Sequence, residues 1–153
     1  MIVYRLCKSV YSNDLTGKGA EKVGGRWNSR GIPMLYTSDS RALCTAEIAV
    51  HTPLGILPFD YKIVCIQIPL SASITELKKN DLPKHWNEFP HIQGTQDIGD
   101  SFIKEHLSLC LKVPSATVQG DFNYLINPQH KDIAKIKIVS IEDFNFDKRL
   151  FKG

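Results

Sequence analysis

Glu47 is the acidic residue whose surroundings most favour chemistry. It lies in the stretch DSRALCTAEIAVH, which predicts a buried helix because its residues are small or apolar almost all the way round. Glu47 follows Leu43 by four positions and precedes Val50 by three, so it shares their stripe. A carboxylate there must be paired, protonated or directed at a pocket. Two interpretations stand: a structural ion pair with an arginine, or a catalytic or ligand-orienting acid in a cleft.

The loop VGGRWNSRGIPMLY supplies an arginine for either interpretation. Gly24–Gly25 permits a positive φ or a close approach of the backbone to a ligand. Arg26 can present a planar fork to a phosphate or carboxylate. Trp27 is expected to pack the loop against the body of the protein, and Asn28 to hydrogen-bond within the turn. The alternative is a surface loop with an exposed arginine, against which the tryptophan argues.

Three further residues have both an ordinary and a functional interpretation. Tyr36 ends a short strand and is either a packing residue or a stacking surface for a flat ring. Arg5 interrupts an otherwise apolar strand and points either into a cleft or outward. Ser115 follows a proline at a strand break, where turn chemistry is the ordinary role, and no GxSxG motif surrounds it. His51 and His130 lie near element ends and are expected at the surface or as caps.

Composition indicates one globular domain spanning residues 1–153. The chain has 153 residues, 42% hydrophobic and 23% charged. A net charge of +3 without a dense basic cluster argues against direct nucleic-acid binding and suits a small anionic ligand.

The cysteines and histidines predict no metal site. The four cysteines are scattered, none forms a CxxC pair, and no histidine shares a ligand-like spacing with a cysteine or acid. We therefore expect reduced cysteines in a cytoplasmic protein. The N-terminal residues do not resemble a signal peptide, and no apolar stretch approaches transmembrane length, so no membrane association is expected.

Strands outnumber helices in the pattern, which predicts an α+β fold. The helix containing Glu47 is expected to be capped by Ser38 or Asp39, and a second helix to begin with Thr95 as its cap. DYKIVCIQIPL predicts a central strand because both of its faces are apolar. The other predicted strands are IVYRL, MLYTS, LCLKVPSATV, DFNYLINPQH and KIKIVSIEDFNF.

Taken together, these motifs make the sequence resemble the RES-domain proteins, the toxins of bacterial RES–Xre toxin–antitoxin pairs. Arg26, Glu47 and Ser115 fall where the arginine, glutamate and serine that name the family belong. One departure is the triplet Gly120–Phe122, where the family often has a glutamate near the following asparagine. The matching segments, in order, are VYRL, GGRWNSRGIPMLYTS, ALCTAEIAVH, LPKHW, TQDIGDSFI, VPSATV, NYLINPQH and FNFDKRL.

The resemblance implies a fold like that of diphtheria-toxin-like ADP-ribosyltransferases, with a cleft between twisted sheets that holds NAD. It implies cleavage of the nicotinamide–ribose bond by hydrolysis or phosphorolysis, or transfer of ADP-ribose to a protein. It also implies an Xre-like helix-turn-helix antitoxin as partner and a possible homodimer. A nucleic-acid-acting toxin or binding module, and a catalytically inactive regulator, are the other hypotheses.

The resemblance gives each candidate residue an expected role. Glu47 would stabilise the oxocarbenium-like ribose, and Ser115 would hydrogen-bond the ribose or the nicotinamide amide. The residues expected to bind or surround NAD are Arg5 and Arg26 at the pyrophosphate, Tyr36 on the nicotinamide ring, and Trp27 and Asn28 as supports of the loop.

Overall fold

The computed structural model describes all 153 residues as seven strands and three helices. The strands are β1 (Ile2–Lys8), β2 (Leu35–Ser38), β3 (Tyr61–Gln67), β4 (Ile74–Glu76), β5 (Cys110–Pro114), β6 (Phe122–Ile126) and β7 (Lys137–Phe144). The helices are α1 (Lys18–Val23), α2 (Arg41–His51) and α3 (Gln93–Glu105). The α+β class predicted from the sequence is confirmed.

The strands form one mixed sheet in the order β4-β5-β6-β2-β1-β3-β7. All neighbours are antiparallel except β4 and β5, which are parallel. The junction between β1 and β2 consists of a single residue pair, Tyr4 with Ser38. The structure therefore has one sheet with two well-paired halves that meet at one point, whereas more than one twisted sheet was expected around the cleft.

The apolar core occupies both faces of the sheet. One face carries a continuous cluster that includes Val3, Val64 and Ile126. The opposite face carries two clusters, one on each half of the sheet: Leu125 belongs to the first and Leu6 to the second. Because the two clusters sit on different halves, space for a cavity remains between them.

Both long helices begin at different residues from those the sequence predicted. Ser40, not Ser38 or Asp39, caps α2, and its hydroxyl accepts a hydrogen bond from the backbone N–H of Leu43 at 3.0 Å. Helix α3 begins at Gln93, so Thr95 lies within its first turn. In α2, Ser38, Asp39 and Ser40 are all able to cap, and sequence alone does not rank them. Helix α3 begins after Ile92 without a side-chain cap, and the Thr95 hydroxyl donates to the carbonyl of Ile92 at 2.9 Å instead.

Two short elements were not predicted, and one helix is less buried than expected. Helix α1 lies in the segment expected to be a loop, and β4 adds a parallel strand at the edge of the sheet. Helix α2 buries only Leu43 and Cys44, and Val50 is 60% exposed. Strand β3 is paired on both sides with a buried interior, as predicted. None of the helices combines the length and apolarity that a bilayer crossing requires.

Candidate active site

A cavity of about 860 Å³ opens beside the single β1–β2 residue pair. Its volume lies in the upper part of the range typical of small-molecule sites, about 300–1,000 Å³. Strands β1 and β2 contribute the segments Tyr4–Cys7 and Leu35–Ser38 to its walls. Helix α2 contributes Glu47 together with neighbouring apolar residues, and the glycine-rich loop contributes Arg26.

The Glu47 carboxylate is held by three neutral side chains. Oε1 accepts hydrogen bonds from Ser115 Oγ and Asn123 Nδ2, each at 2.9 Å. Oε2 accepts one from Thr117 Oγ1, also at 2.9 Å. The donors come from the turn after β5 and from β6, so residues distant in sequence fix the orientation of this group.

The donors are themselves oriented by further hydrogen bonds. Ser115 Oγ accepts the backbone N–H groups of Thr117 and Val118, each at 3.0 Å, so its own hydrogen is directed to Glu47. Asn123 Oδ1 accepts from Ser38 Oγ at 2.7 Å, which turns the amide Nδ2 towards the carboxylate. The carboxylate therefore lies at the end of two ordered hydrogen-bond chains.

No cation neutralises Glu47 directly. None of the ion pairs in the structure includes Glu47 or Arg26, so the structural ion pair considered from the sequence does not form. Burial lowers the pKa of the Arg26 guanidinium below its usual value, and the charge of Glu47 opposes that shift. The two groups thus face the same cavity and interact through space without contact.

Arg26 and Arg5 are anchored in the same way, by one nitrogen of each guanidinium group. Arg26 Nη1 donates to the carbonyls of Trp86 and Glu88, each at 2.8 Å. Arg5 Nη1 donates to the carbonyls of Tyr11 at 2.9 Å and Asp14 at 3.0 Å. In both residues Nε and Nη2 have no protein partner. Each guanidinium is therefore anchored by one nitrogen and retains donors for an anion in the cavity.

Tyr36 and Asn28 hold the glycine-rich loop in place through hydrogen bonds. Tyr36 Oη donates to Asn28 Oδ1 at 2.7 Å and accepts the backbone N–H of Trp27 at 3.1 Å. Burial raises the pKa of the Tyr36 hydroxyl well above its ordinary value. A Cβ on Gly25 would lie 2.7 Å from Tyr36 Oη, so the loop needs glycine to approach the tyrosine. The close approach predicted for a ligand is thus made to a side chain of the protein.

Helix α3 supports the same loop from behind. Gln96 Nε2 donates to the carbonyls of Gly25 at 3.0 Å and Asn28 at 3.1 Å. A Cβ on Gly99 would lie 1.6 Å from the carbonyl oxygen of Trp27, so only glycine permits this contact. Trp27 is itself 3% exposed and belongs to the cluster that includes Leu125. The loop is a firmly packed wall of the cavity.

The structure brings together five of the seven residues proposed from the sequence. Five line the cavity: Arg5, Arg26, Trp27, Tyr36 and Glu47. Asn28 is fully buried and supports the loop, which is the role the sequence suggested.

Ser115 occupies a different place from the one expected. It is 5% exposed and lies outside the cavity lining, so the expected direct contact with ribose or nicotinamide is replaced by its hydrogen bond to Glu47.

Sequence reasoning missed Thr117, Asn123, Ser38 and two histidines. Thr117 and Asn123 escaped notice because single polar residues in a turn and a strand carry no distinctive signal, and Ser38 was considered only as a helix cap. His51 and His91 both line the cavity, close to Phe89 and Arg26. Burial, and then the nearby charges of Arg26 and His51, lower the pKa of His91. His51 follows Glu47 by four positions in α2, a spacing that was available in the sequence.

His130 is buried and hydrogen-bonded to the backbone. His130, expected at the surface or as a cap, is 3% exposed, and its Nδ1 accepts the backbone N–H of Asp132 at 3.1 Å. No group of three or more His, Cys, Asp or Glu side chains converges in a way that could hold a metal ion.

Comparison with known proteins identifies relatives along nearly the whole chain. The profile of the RES domain matches residues 2–147. The chain is 37% identical to "Toxin Res" of Photorhabdus laumondii over 155 aligned positions, covering 100% of this chain and 99% of the relative. It is 34% identical to "Prs ADP-ribosylating toxin" of a Sphingobium species, covering 92% and 89%.

A solved structure shares the fold. The M. tuberculosis MbcT–MbcA toxin–antitoxin complex contains a chain that superposes with a TM-score of 0.76, at 20% identity. The superposition covers 98% of this chain and 86% of that one.

Proposed function

The chain belongs to the RES-domain family, and we propose that it is the toxin of a toxin–antitoxin pair that binds NAD and cleaves its nicotinamide–ribose bond. The observation that carries the proposal is the cavity lined by Glu47 and the two arginines. It contains both a fixed carboxylate and free guanidinium donors. NAD needs both features, because it has an anionic pyrophosphate and a ribose that becomes positive during cleavage.

The carboxylate suits the developing charge of the reaction. As the bond between ribose C1 and the nicotinamide nitrogen breaks, its electron pair stays with the nitrogen and the ribose becomes oxocarbenium-like. Nicotinamide starts as a cation and leaves neutral, so no general acid is required. Glu47, held by neutral donors and unpaired with any cation, keeps its negative charge available to the ribose.

The arginines suit the pyrophosphate. Arg5 and Arg26 each have a guanidinium nitrogen anchored to backbone carbonyls and unpartnered donors on the remaining nitrogens. Planar guanidinium groups bind paired phosphate oxygens well. Tyr36 lines the same cavity with its hydroxyl already engaged, which leaves its ring for contact with nicotinamide.

The acceptor is water or phosphate in this proposal. Water gives nicotinamide, ADP-ribose and a proton, and phosphate gives nicotinamide and ADP-ribose-1″-phosphate. Either reaction depletes cytoplasmic NAD and would arrest growth.

A second candidate function is ADP-ribosylation of a protein. It is favoured by the relative from Sphingobium, which is named an ADP-ribosylating toxin and is 34% identical to this chain. The same carboxylate and the same cavity would serve, because only the nucleophile that attacks ribose C1 differs.

The proposal includes an antitoxin as partner. The structural neighbour was solved as a toxin–antitoxin complex, and the curated relative from Photorhabdus is named a toxin. We propose an Xre-like helix-turn-helix antitoxin for this chain, a fold of the diphtheria-toxin-like ADP-ribosyltransferase type, and a homodimer as its possible assembly.

The test measures nicotinamide released from NAD by the purified protein, with and without added phosphate. NAD labelled in its adenylate portion shows whether the label ends in a small molecule or in protein. Glu47→Gln should abolish release while remaining folded, and Glu105→Gln, at an exposed position on α3, is the matched control. Release that is unchanged in Glu47→Gln would refute the proposed role of the carboxylate. The absence of release from folded wild-type protein, with label appearing in an added cell extract, would favour protein modification.

A further inference from the structure

The two oxygens of the Glu47 carboxylate have different surroundings. Oε1 accepts two hydrogen bonds, from Ser115 and Asn123, and Oε2 accepts one, from Thr117. An ionised carboxylate has about four acceptor positions, two on each oxygen. Oε1 is therefore saturated by the protein, and Oε2 keeps one acceptor position for another donor.

Two of the three donors lie at the cavity wall. Thr117 and Asn123 line the cavity, whereas Ser115 does not. The free position on Oε2 is thus beside Thr117, whose hydroxyl hydrogen is committed to Glu47 and whose oxygen can still accept a hydrogen bond. A ribose hydroxyl that donates to Oε2 would meet this side chain at the same place.

We propose that Thr117 and Asn123 are positioning residues that hold Glu47 with Oε2, and not Oε1, directed at the substrate. This inference rests on the proposed function and assigns different tasks to the two carboxylate oxygens: the protein holds Oε1, and Oε2 contacts the substrate. Asn123 locks Oε1 from one side because Ser38 fixes its amide orientation. Thr117 prevents rotation of Oε2 and shapes the space next to the reacting ribose.

Thr117 can be tested with a pair of variants that separate hydrogen bonding from packing. Thr117→Val keeps the shape of the side chain and removes the hydroxyl, and Thr117→Ser keeps the hydroxyl and removes a methyl group. The expected result for Thr117→Val is a fall in kcat of about tenfold with KM changed by less than about twofold, because one hydrogen bond to a charged group is lost. Thr117→Ser should recover kcat to within about threefold of wild type.

A change at Asn123 should lower kcat more strongly than the change at Thr117. Asn123→Asp places an oxygen where Nδ2 now donates at 2.9 Å, so two carboxylates would face each other and Glu47 would lose its orientation. We expect kcat to fall by about 100-fold or more. Ser38→Ala frees the amide of Asn123 without adding charge and should cost less than Asn123→Asp.

The matched control is Thr45→Val. Thr45 Oγ1 donates to the carbonyl of Arg41 within α2 and lies outside the cavity lining. The kcat of Thr45→Val should equal that of the wild-type protein. Melting temperatures of all the variants show whether each is folded.

The outcomes separate this inference from the proposed function. Wild-type activity with an equal kcat in folded Thr117→Val, or an equal loss in Thr117→Val and Thr117→Ser, would overturn the positioning role and leave NAD cleavage standing. An inert wild-type protein would overturn both. A selective fall in kcat, restored by serine, supports the inference.

Discussion

The two sides of the cavity are stabilised by different kinds of hydrogen bonds. On the carboxylate wall, formed by Glu47, Thr117 and Asn123 with Ser115 behind them, three side-chain donors are directed at the Glu47 carboxylate. On the arginine wall, formed by Arg5, Arg26 and the carbonyls that anchor them, backbone oxygens hold one nitrogen of each guanidinium.

That difference indicates different tasks. The carboxylate wall depends on α2, β6 and the turn after β5, so the packing of the sheet fixes its geometry. Such preorganisation suits a group that acts in the transition state. The arginine wall takes its anchoring carbonyls from segments outside the sheet and keeps donors open, which suits binding of a charged substrate. Substitutions confined to one wall should therefore change either the chemical step or binding, but not both equally.

Glu47→Asp tests whether charge alone suffices on the carboxylate wall. Aspartate keeps the charge, but its shorter side chain cannot reach Ser115, Thr117 and Asn123 at their present distances of 2.9 Å. We expect kcat to fall at least about 100-fold, comparable with the loss of a preorganised electrostatic contact. Steady-state nicotinamide release measures it, with Glu105→Asp as control. Activity near that of wild type would show that the orientation of the Glu47 carboxylate is unimportant.

Gly99→Ala tests the support of the arginine wall. The added Cβ would lie 1.6 Å from the carbonyl oxygen of Trp27, so helix α3 and the loop must separate. We expect the free energy of unfolding to fall by about 2 kcal/mol, as in overpacked cores.

Chemical denaturation measures the free energy of unfolding of Gly99→Ala and of the wild-type protein. Gly19→Ala, where a Cβ meets nothing within 4 Å, is the matched control and should lose no stability. Equal stability of Gly99→Ala and wild type would mean that the loop and α3 are not tightly packed.

Arg26→Lys tests whether the arginine wall binds the substrate. Lysine retains the charge and loses the planar fork that can donate both to the loop carbonyls and to a pyrophosphate. We expect KM for NAD to rise about tenfold with a smaller change in kcat. The exposed Arg30, changed to lysine, should leave both constants unaltered. A loss confined to kcat would assign Arg26 to the chemical step instead.

His91 gives the smallest effect, on the pH dependence of stability. Burial lowers the pKa of His91 in the folded protein, so the unfolded chain binds the proton more readily. As the pH falls through the unfolded-state pKa of about 6.5, the free energy of unfolding should decrease. Melting temperatures between about pH 7.5 and about pH 5.5 should fall slightly less in His91→Gln than in wild type. A larger fall in the variant would contradict the direction of the shift.

The sequence was more informative about the arginine wall than about the carboxylate wall. The unusual glycine, arginine and tryptophan content of the loop indicated a packed anion site, and the structure places Arg26 at the cavity and buries Trp27. Glu47 stood out because it interrupts an apolar helical stripe. Its donors did not, since Thr117 and Asn123 are ordinary in a turn and a strand, and only the pairing of β2 with β6 brings Asn123 to Ser38.

The fold could be predicted in class but not in arrangement. Apolar runs and alternation identified six of the seven strands, all except β4. β4 has three residues, all exposed, so no apolar period marks it. The single pair joining β1 and β2 depends on how the sheet twists, and that is a property of the whole chain.

We propose that the arginine wall binds NAD and that the carboxylate wall then acts on the bound substrate. The most direct test is the dissociation constant of NAD for Glu47→Gln and Arg26→Gln, measured side by side by calorimetry. We predict that Glu47→Gln binds NAD within about threefold of wild type although it does not cleave it, and that Arg26→Gln binds at least about tenfold more weakly. If Glu47→Gln lost NAD binding as severely as Arg26→Gln, the two walls would form a single binding unit and the division would be wrong.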